Sequence, residues 1–285
     1  MVGFPRLSLL RMKASHARMK LAQTLPSQFQ VGSIYATPEG KFAVPSSDLF
    51  FPHLWRQGKA FGQEEIALIR ALVPEGSTIL VVGGHVGGLA IPLARTAQKL
   101  TVVEANPETF RYLAANVALN ASHNISLLQL AAGEKEGQIE FIANRQNTGG
   151  SKRSPVIDDW RYTYDDPDRI RVEMKRLDDV LEPQYDAMVM DIEGSEYFAL
   201  KGMPKLLSRI RTIFIEFMPH HLRNVAGIDA DRLYDVIGSD FRHLLIPSQN
   251  TTYSGDEVAP KLRSMFQEDQ NEDAIVFSKD PIQRS

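Results

Sequence analysis

The chain predicts an α/β fold with a doubly wound, mostly parallel sheet, on three observations. Residues 77–104 read strand, glycine turn, helix, strand. Beyond them, short apolar runs keep alternating with helical patterns, the mark of βαβ units and a parallel sheet. The second strand of the series ends on Glu104, about twenty residues past the first glycine, where such a sheet places the acid that binds a ribose hydroxyl pair.

The elements follow in order. Residues 31–62 are rich in aromatics and prolines, an ordered lead-in with short strands near 33–36 and 41–44. Residues 63–72 carry apolar side chains at helical spacing, with Glu64 and Glu65 in the first turn where acids suit the helix dipole. Then come strand 77–82, helix 88–97, strand 100–104, helix 107–120 and strand 125–130. Asn106 and Pro107 form a helix start, cap then first-turn proline. Residues 138–143 and 169–177 alternate as extra strands around a polar segment, 144–168, that is too long for a simple connection. Strand 185–190, a proline-interrupted helix over 197–207, strand 212–217 and helix 230–237 continue the series, and 241–246 with 274–277 make a closing antiparallel pair.

Composition bounds the function. The chain has 285 residues, 43% hydrophobic and 24% charged, enough for a full core without staples. It divides into an N-terminal extension, 1–62, and a cofactor-binding domain, 63–285. There is no cysteine, so thiolate metal sites, disulfides and cysteine nucleophiles are excluded. That fits a cytoplasmic location. The net charge of -3 gives no general attraction to nucleic acid, and none is expected as a partner. No apolar run reaches the length of a membrane span. Residues 1–30 carry Arg6, Arg11, Lys13, Arg18 and Lys20 without an acid. They read as a helix capping the domain, a tail, a transit peptide, or a weak peripheral contact with a membrane or acidic partner.

The glycine spacing narrows the cofactor. Gly83, Gly84, Gly87 and Gly88 surround His85 and Val86, which is not the G-x-G-x-x-G of a dinucleotide fold. No triphosphate loop occurs. A loose glycine turn with a ribose acid suits S-adenosylmethionine, which has no phosphate to cradle. A nicotinamide-dependent oxidoreductase remains the alternative, since it also uses a ribose acid.

The segments VEANPETFRYLAANVALN, NTGGSKRS, VMDIEGSEYFALKGM and FIEF, in that order over about residues 75–220, resemble the FkbM-type methyltransferases. These are a branch of the seven-stranded, Rossmann-like class I family. The resemblance implies strand order 3-2-1-4-5-7-6 with strand seven antiparallel. It implies S-adenosylmethionine as cofactor and methylation of a hydroxyl oxygen on a small molecule or glycan: a sugar, lipid or secondary metabolite. Gly83, Gly84, His85, Gly87, Glu104, Ala105, Asn106, Ala131, Ala132 and Asp191 are the expected cofactor contacts, with the ribose on Glu104 and the adenine near Ala131 and Ala132. Three positions depart from the family. Val81 stands for the aspartate of the first motif, His85 for its asparagine, and Met190 for a lysine. A non-catalytic binding module on the same fold is therefore the second alternative, and Val81→Asp is expected to raise cofactor affinity.

Asp191, Glu193, Glu216 and His220 are the candidate catalytic groups. They follow adjacent strands, so their side chains converge where the methyl is presented. Asp191 is the central acid. Asp191 or Glu193 is the base, and Glu193 is otherwise the cap of the helix that follows. Glu216 closes an apolar strand and needs a cation or the crevice. His220, His221, Arg211 and Arg223 stand near it, and His220 is the weaker catalytic candidate. Half a metal site is conceivable with Glu216 or His220, but the histidine pair lacks an i, i+4 partner and no metal is assigned. Asn147 to Arg153 suggest a mobile, anion-attracting loop, and Trp160, Tyr162 and Tyr164 are placed to stack on a sugar or to pin that loop.

Overall fold

The computed structural model describes residues 30–57, 59, 61–182 and 184–282. The basic segment 1–29 lies outside them. A hairpin of β1 (Gly32–Thr37) and β2 (Gly40–Pro45) leads into α1 (Phe50–Arg56) and α2 (Gln63–Leu72). The central strands are β3 (Thr78–Val82), β4 (Lys99–Glu104) and β5 (Ile125–Gln129). The short α3 (Ala90–Leu93) and the longer α4 (Pro107–Leu119) cross over between them. The side chain of Asn106 caps α4 by accepting the Glu108 N–H at 3.0 Å, as its sequence predicts.

A second, four-stranded sheet grows from the end of β5. Its strands are β6 (Ala131–Ala132), β7 (Gly137–Ala143), β8 (Lys152–Arg153) and β9 (Asp168–Lys175), in the order β6-β9-β7-β8. The alternating segments at 138–143 and 169–177 are thus partners of each other, paired antiparallel. After α5 (Leu177–Val180) the chain returns to the main sheet as β10 (Ala187–Met190). Then come α6 (Glu196–Lys201), α7 (Pro204–Arg209) and β11 (Thr212–Phe217). One turn of helix, α8 (Pro219–His221), widens into a π-turn over Leu222–Ala226. The remainder is α9 (Ala230–Ile237), β12 (His243–Ile246), β13 (Thr251–Ser254), α10 (Val258–Gln267) and β14 (Glu272–Ser278).

The main sheet runs β13-β12-β14-β11-β10-β3-β4-β5. From β11 to β5 every pairing is parallel, and β14 enters antiparallel to β11 and β12. This is the expected order with one strand added: β13 forms a hairpin with β12 at the edge. Its residues are mostly exposed, so no apolar alternation marks them.

Two cores flank the sheet. Leu80, Val82, Met188, Met190 and Ile215 face one, with α6, α7, α9 and α10 over them. Val81, Val102, Val189 and Phe214 face the other, against α2, α3 and α4. Asn116 of α4 sits in this second layer with no exposed surface. Its side chain bonds both backbone groups of Ala43, accepting at 2.6 Å and donating at 2.9 Å, which seats the β1–β2 hairpin on the domain. Among the described residues no helix is long and apolar enough to cross a membrane.

Candidate active site

A cavity opens at the carboxyl ends of β3, β4 and β10, where the direction of strand succession reverses. Gly83, Gly84, His85, Glu104 and Ala105 form its floor. Ala131, Ala132, Ile139, Phe141 and Met174 form an apolar wall shared with the small sheet. Phe50, Phe51 and Phe61 of the lead-in close another side, Thr148, Gly149 and Gly150 cover it, and Asp191, Ile192 and Glu193 complete it. Two predicted contacts fall outside the lining. Gly87 turns the chain at φ 93°, and Asn106 is committed to capping α4.

The glycine turn spends its own donors. The N–H groups of Gly83 and Gly84 both donate to the Val103 carbonyl, at 2.9 and 3.0 Å, and Gly87 N–H donates to Gly84. His85 N–H donates to Glu104 Oε2 at 2.8 Å, and Asn106 N–H donates to Glu104 Oε1 at 2.7 Å. These five donors are therefore not free for a pyrophosphate. The Glu104 carboxylate is held between two backbone donors with lone pairs remaining on each oxygen. Burial pushes it up to about 7 despite those bonds.

His85 takes a left-handed conformation, φ 46°, which asparagine tolerates better. Its ring lies beside Phe51, and its Nε2 is 2.7 Å from Thr148 Oγ1. Burial pushes its imidazole down to about 4, so it is neutral near pH 7. The Thr148 hydroxyl donates to Asp48 Oδ2 at 2.5 Å, and Thr148 N–H donates to the same oxygen at 3.0 Å. That leaves Nε2–H of His85 as the donor to Thr148. A buried chain Asp48–Thr148–His85 thus ties the lead-in to the loop over the cavity.

The carboxylates gather beyond the glycine turn. Asp191 Oδ1 is buried with no hydrogen-bond partner among the described residues. Burial, with the charge of Glu193 beside it, holds this carboxyl well above the usual range. Glu193 is left-handed, φ 55°, and Gly194 follows at φ 94°. A Cβ on Gly194 would meet Val225 at 2.7 Å, so only glycine lets the chain after β11 pack here. Glu193 does not cap the helix that follows, and Glu196 instead ties down the turn before it, accepting Ile192 N–H at 3.0 Å and Gly194 N–H at 3.2 Å.

Glu193 Oε2 accepts from Lys152 Nζ at 2.7 Å and lies 3.3 Å from His221 Nε2. His221 Nδ1 is 3.3 Å from Glu216 Oε2. Burial first, then Lys152, push the His221 imidazole down to about 2. Burial and Asp191 hold the Glu216 carboxyl well above its usual range. Asp191 and Glu193 line the cavity, and Glu216 stands one layer behind, against His221. His220 is turned away, with Nδ1 3.0 Å from the Tyr162 hydroxyl. The adjacent histidine, His221, takes the inward place.

The loop after β7 also differs from expectation. Lys152 is buried in the cluster rather than offered to an anion, and Arg153 lies over the Phe198 ring at 3.7 Å. Tyr162 is buried and pins the loop to His220. Trp160 and Tyr164 stay exposed.

The sequence profile described as the methyltransferase FkbM domain matches residues 82–246, more than half of the chain. The chain belongs to the FkbM methyltransferase domain family. With the family comes the cofactor, S-adenosylmethionine. No curated protein matches. Among solved structures, the methyltransferase FkbM of Methylobacillus flagellatus is 14% identical, covering 71% of this chain and 43% of its own, with a TM-score of 0.39. Trm5b of Pyrococcus abyssi is 13% identical, covering 72% and 46%, with a TM-score of 0.39. The M. jannaschii TYW2 in complex with AdoMet is 16% identical, covering 66% and 62%, with a TM-score of 0.37. The chain thus spans about half the length, or less, of the first two, and the assignment rests on the profile match.

Proposed function

We propose that this FkbM-family chain transfers a methyl group from S-adenosylmethionine to a hydroxyl oxygen of a small molecule or glycan. The observation that carries the cofactor half is the joint state of Glu104 and the glycine turn. The acid is held at the end of β4, where it would take a ribose, while the N–H groups of Gly83, Gly84, His85 and Gly87 are already used, which suits a cofactor without phosphates. The adenine would rest between Ala105 and the apolar wall of Ala131, Ala132, Ile139 and Phe141. Asp191, on the cavity and with its Oδ1 unpartnered among the described residues, matches the α-ammonium of the methionine end. Val81 faces the opposite core, so the missing motif acid takes nothing from the cavity wall.

When bound, the cofactor supplies a methyl on a positively charged sulfur. The chain's part is to align an acceptor with that methyl, exclude water and remove the acceptor's proton. Alignment can contribute several kcal/mol, and a base about a hundredfold. Glu193, on the cavity and ion-paired, is the residue we assign as base, with Asp191 on the cofactor. The carboxylate-lined crevice and net charge of -3 favour an uncharged or cationic acceptor over nucleic acid. The catalytic domain would be residues 63–285, with the lead-in adding one wall.

Calorimetric titration tests the cofactor: micromolar binding of S-adenosylhomocysteine and none of NAD is expected, on the scale of about 8 kcal/mol. Binding of NAD alone would replace the reading with an oxidoreductase. Transfer of labelled methyl to sugar, lipid or small-molecule pools tests the reaction. Binding without transfer to any pool would leave a non-catalytic module.

A further inference from the structure

Four carboxylates, Asp191, Glu193, Glu196 and Glu216, lie within electrostatic reach of one another, and Lys152 is the cation that faces Asp191 and Glu216. The Lys152 side chain is 5% exposed. Its ammonium is 2.7 Å from Glu193 Oε2, 3.4 Å from His221 Nε2 and 5.0 Å from the Tyr162 ring centre. Lys152 comes from β8 of the small sheet, where it opposes Ile142, and Glu193 from the turn after β10. Their ion pair therefore joins two walls of the cavity.

The two oxygens of Glu193 have different surroundings. Oε2 faces Lys152 and His221. Oε1 points toward the loop over the cavity, 3.9 Å from where a Cβ on Gly150 would lie. Behind them, His221 Nδ1 is hydrogen-bonded to Glu216, while Nε2 is hydrogen-bonded to the Lys152 ammonium at 3.4 Å and also lies 3.3 Å from Glu193 Oε2, a contact without hydrogen-bond geometry. That pattern fits a neutral ring which donates Nδ1–H to Glu216 and accepts at Nε2 from Lys152.

We propose that Lys152 is a positioning residue for methyl transfer, clamping Oε2 of Glu193, with His221 and Glu216 behind it, so that Oε1 meets the acceptor hydroxyl. The inference rests on the reading of Glu193 as base. In the step it serves, the acceptor oxygen bonds the methyl carbon and the carbon–sulfur bond breaks with its electron pair left on sulfur. The hydroxyl proton passes to Glu193 Oε1. The sulfonium and carboxylate charges are thereby both consumed. Glu193, Glu216 and His221 also bring one ligand atom each within 4.8 Å of one another, a spacing a metal ion could bridge, but the ammonium already stands against two of them.

The charged and titratable groups around His221 are Lys152, Glu193, Glu216, His220, Tyr162 and Arg161. The test is nitrogen NMR of the full chain labelled at histidine and saturated with S-adenosylhomocysteine, with His221 assigned by its loss in His221→Gln. Between about pH 5 and 8 the wild type should show a neutral His221 with its proton on Nδ1. Lys152→Arg should preserve that signature, and Lys152→Met should make His221 take up a proton in the same range, as the replacement cation. A wild-type ring that is protonated, or that carries its proton on Nε2, would overturn the proposal, as would an unchanged ring in Lys152→Met. If Lys152→Met does not fold, the wild-type and Lys152→Arg spectra still decide. Submillimolar Mn²⁺ binding by the wild type, seen by EPR and lost in Glu216→Gln, would also overturn it by making a metal the cation. S-adenosylhomocysteine affinity should stay within about threefold in Lys152→Met. Failure of the wild type itself to bind S-adenosylhomocysteine would sink the cofactor reading, and spectra without it would judge Lys152 separately.

Discussion

A Cβ placed on Gly83 would fall 1.7 Å from the carbonyl oxygen of Asp191. The first glycine of the turn is thus required by the neighbouring strand, since β3 and β10 end in contact and Asp191 N–H donates to Val82 at 3.0 Å. The glycine expected to admit a ligand first admits the backbone that carries the central acid.

Gly83→Ala should accordingly destabilise by about 3 kcal/mol or more, combining a left-handed φ of 93° with overlap against backbone. Gly76, at φ 82° with open space around it, separates the two causes. Gly76→Ala should cost only about 1–2 kcal/mol. Urea unfolding of both variants measures the difference, and equal losses would refute the steric account.

Glu104 makes cofactor binding depend on pH. Its carboxyl is pushed up to about 7 in the folded protein, so it gains a proton as pH falls through 7 and then accepts ribose hydroxyls poorly. The thermal stabilisation given by S-adenosylhomocysteine should shrink from pH 8 to pH 6. Linkage has the opposite sign for the free protein. A raised folded value contributes stability that is full below the carboxyl's ordinary 4.5 and is lost as pH rises through about 7. Glu104→Gln should weaken cofactor binding about tenfold or more and flatten its pH profile.

Asp191 and Glu193 should separate in kinetics. Asp191→Asn is expected to lower S-adenosylhomocysteine affinity about tenfold, the scale of a bond to a charged group. Glu193→Gln should leave affinity nearly unchanged and lower turnover about a hundredfold. Calorimetry and labelled-methyl assays on the same preparations distinguish them. The reverse pattern would exchange the two roles.

Val81→Asp should not restore a cofactor contact. Val81 is buried between Val102 and Val189, on the face away from the cavity. A carboxylate there would be buried among apolar side chains and should destabilise by about 3 kcal/mol or more. Thermal unfolding with and without S-adenosylhomocysteine checks this, and a tighter-binding, equally stable variant would contradict it.

The central strands were legible because β3, β4, β10 and β11 are apolar runs divided by helical patterns and turns, and Glu104 because it ends one of them; their order in the sheet came from the family resemblance. What escaped lies where periodicity carries no signal. Nothing distinguishes His221 from His220 in sequence, and only the short α8 and its π-turn aim one inward and the other at Tyr162. Lys152 reads as a loop cation because its strand has two residues, too few to alternate. Asp48 is a single acid among aromatics, and its partner Thr148 is a hundred positions away.

That last bond bears on how the protein can be cut. A fragment begun at residue 63 would carry every strand of the large sheet and still lose Asp48, Phe50, Phe51 and Phe61, three of which bound the cavity directly. Thr148 would lose both of its bonds to Asp48, and with them the brace on the roof. Such a piece would keep the architecture of its family while missing part of the room in which the chemistry takes place.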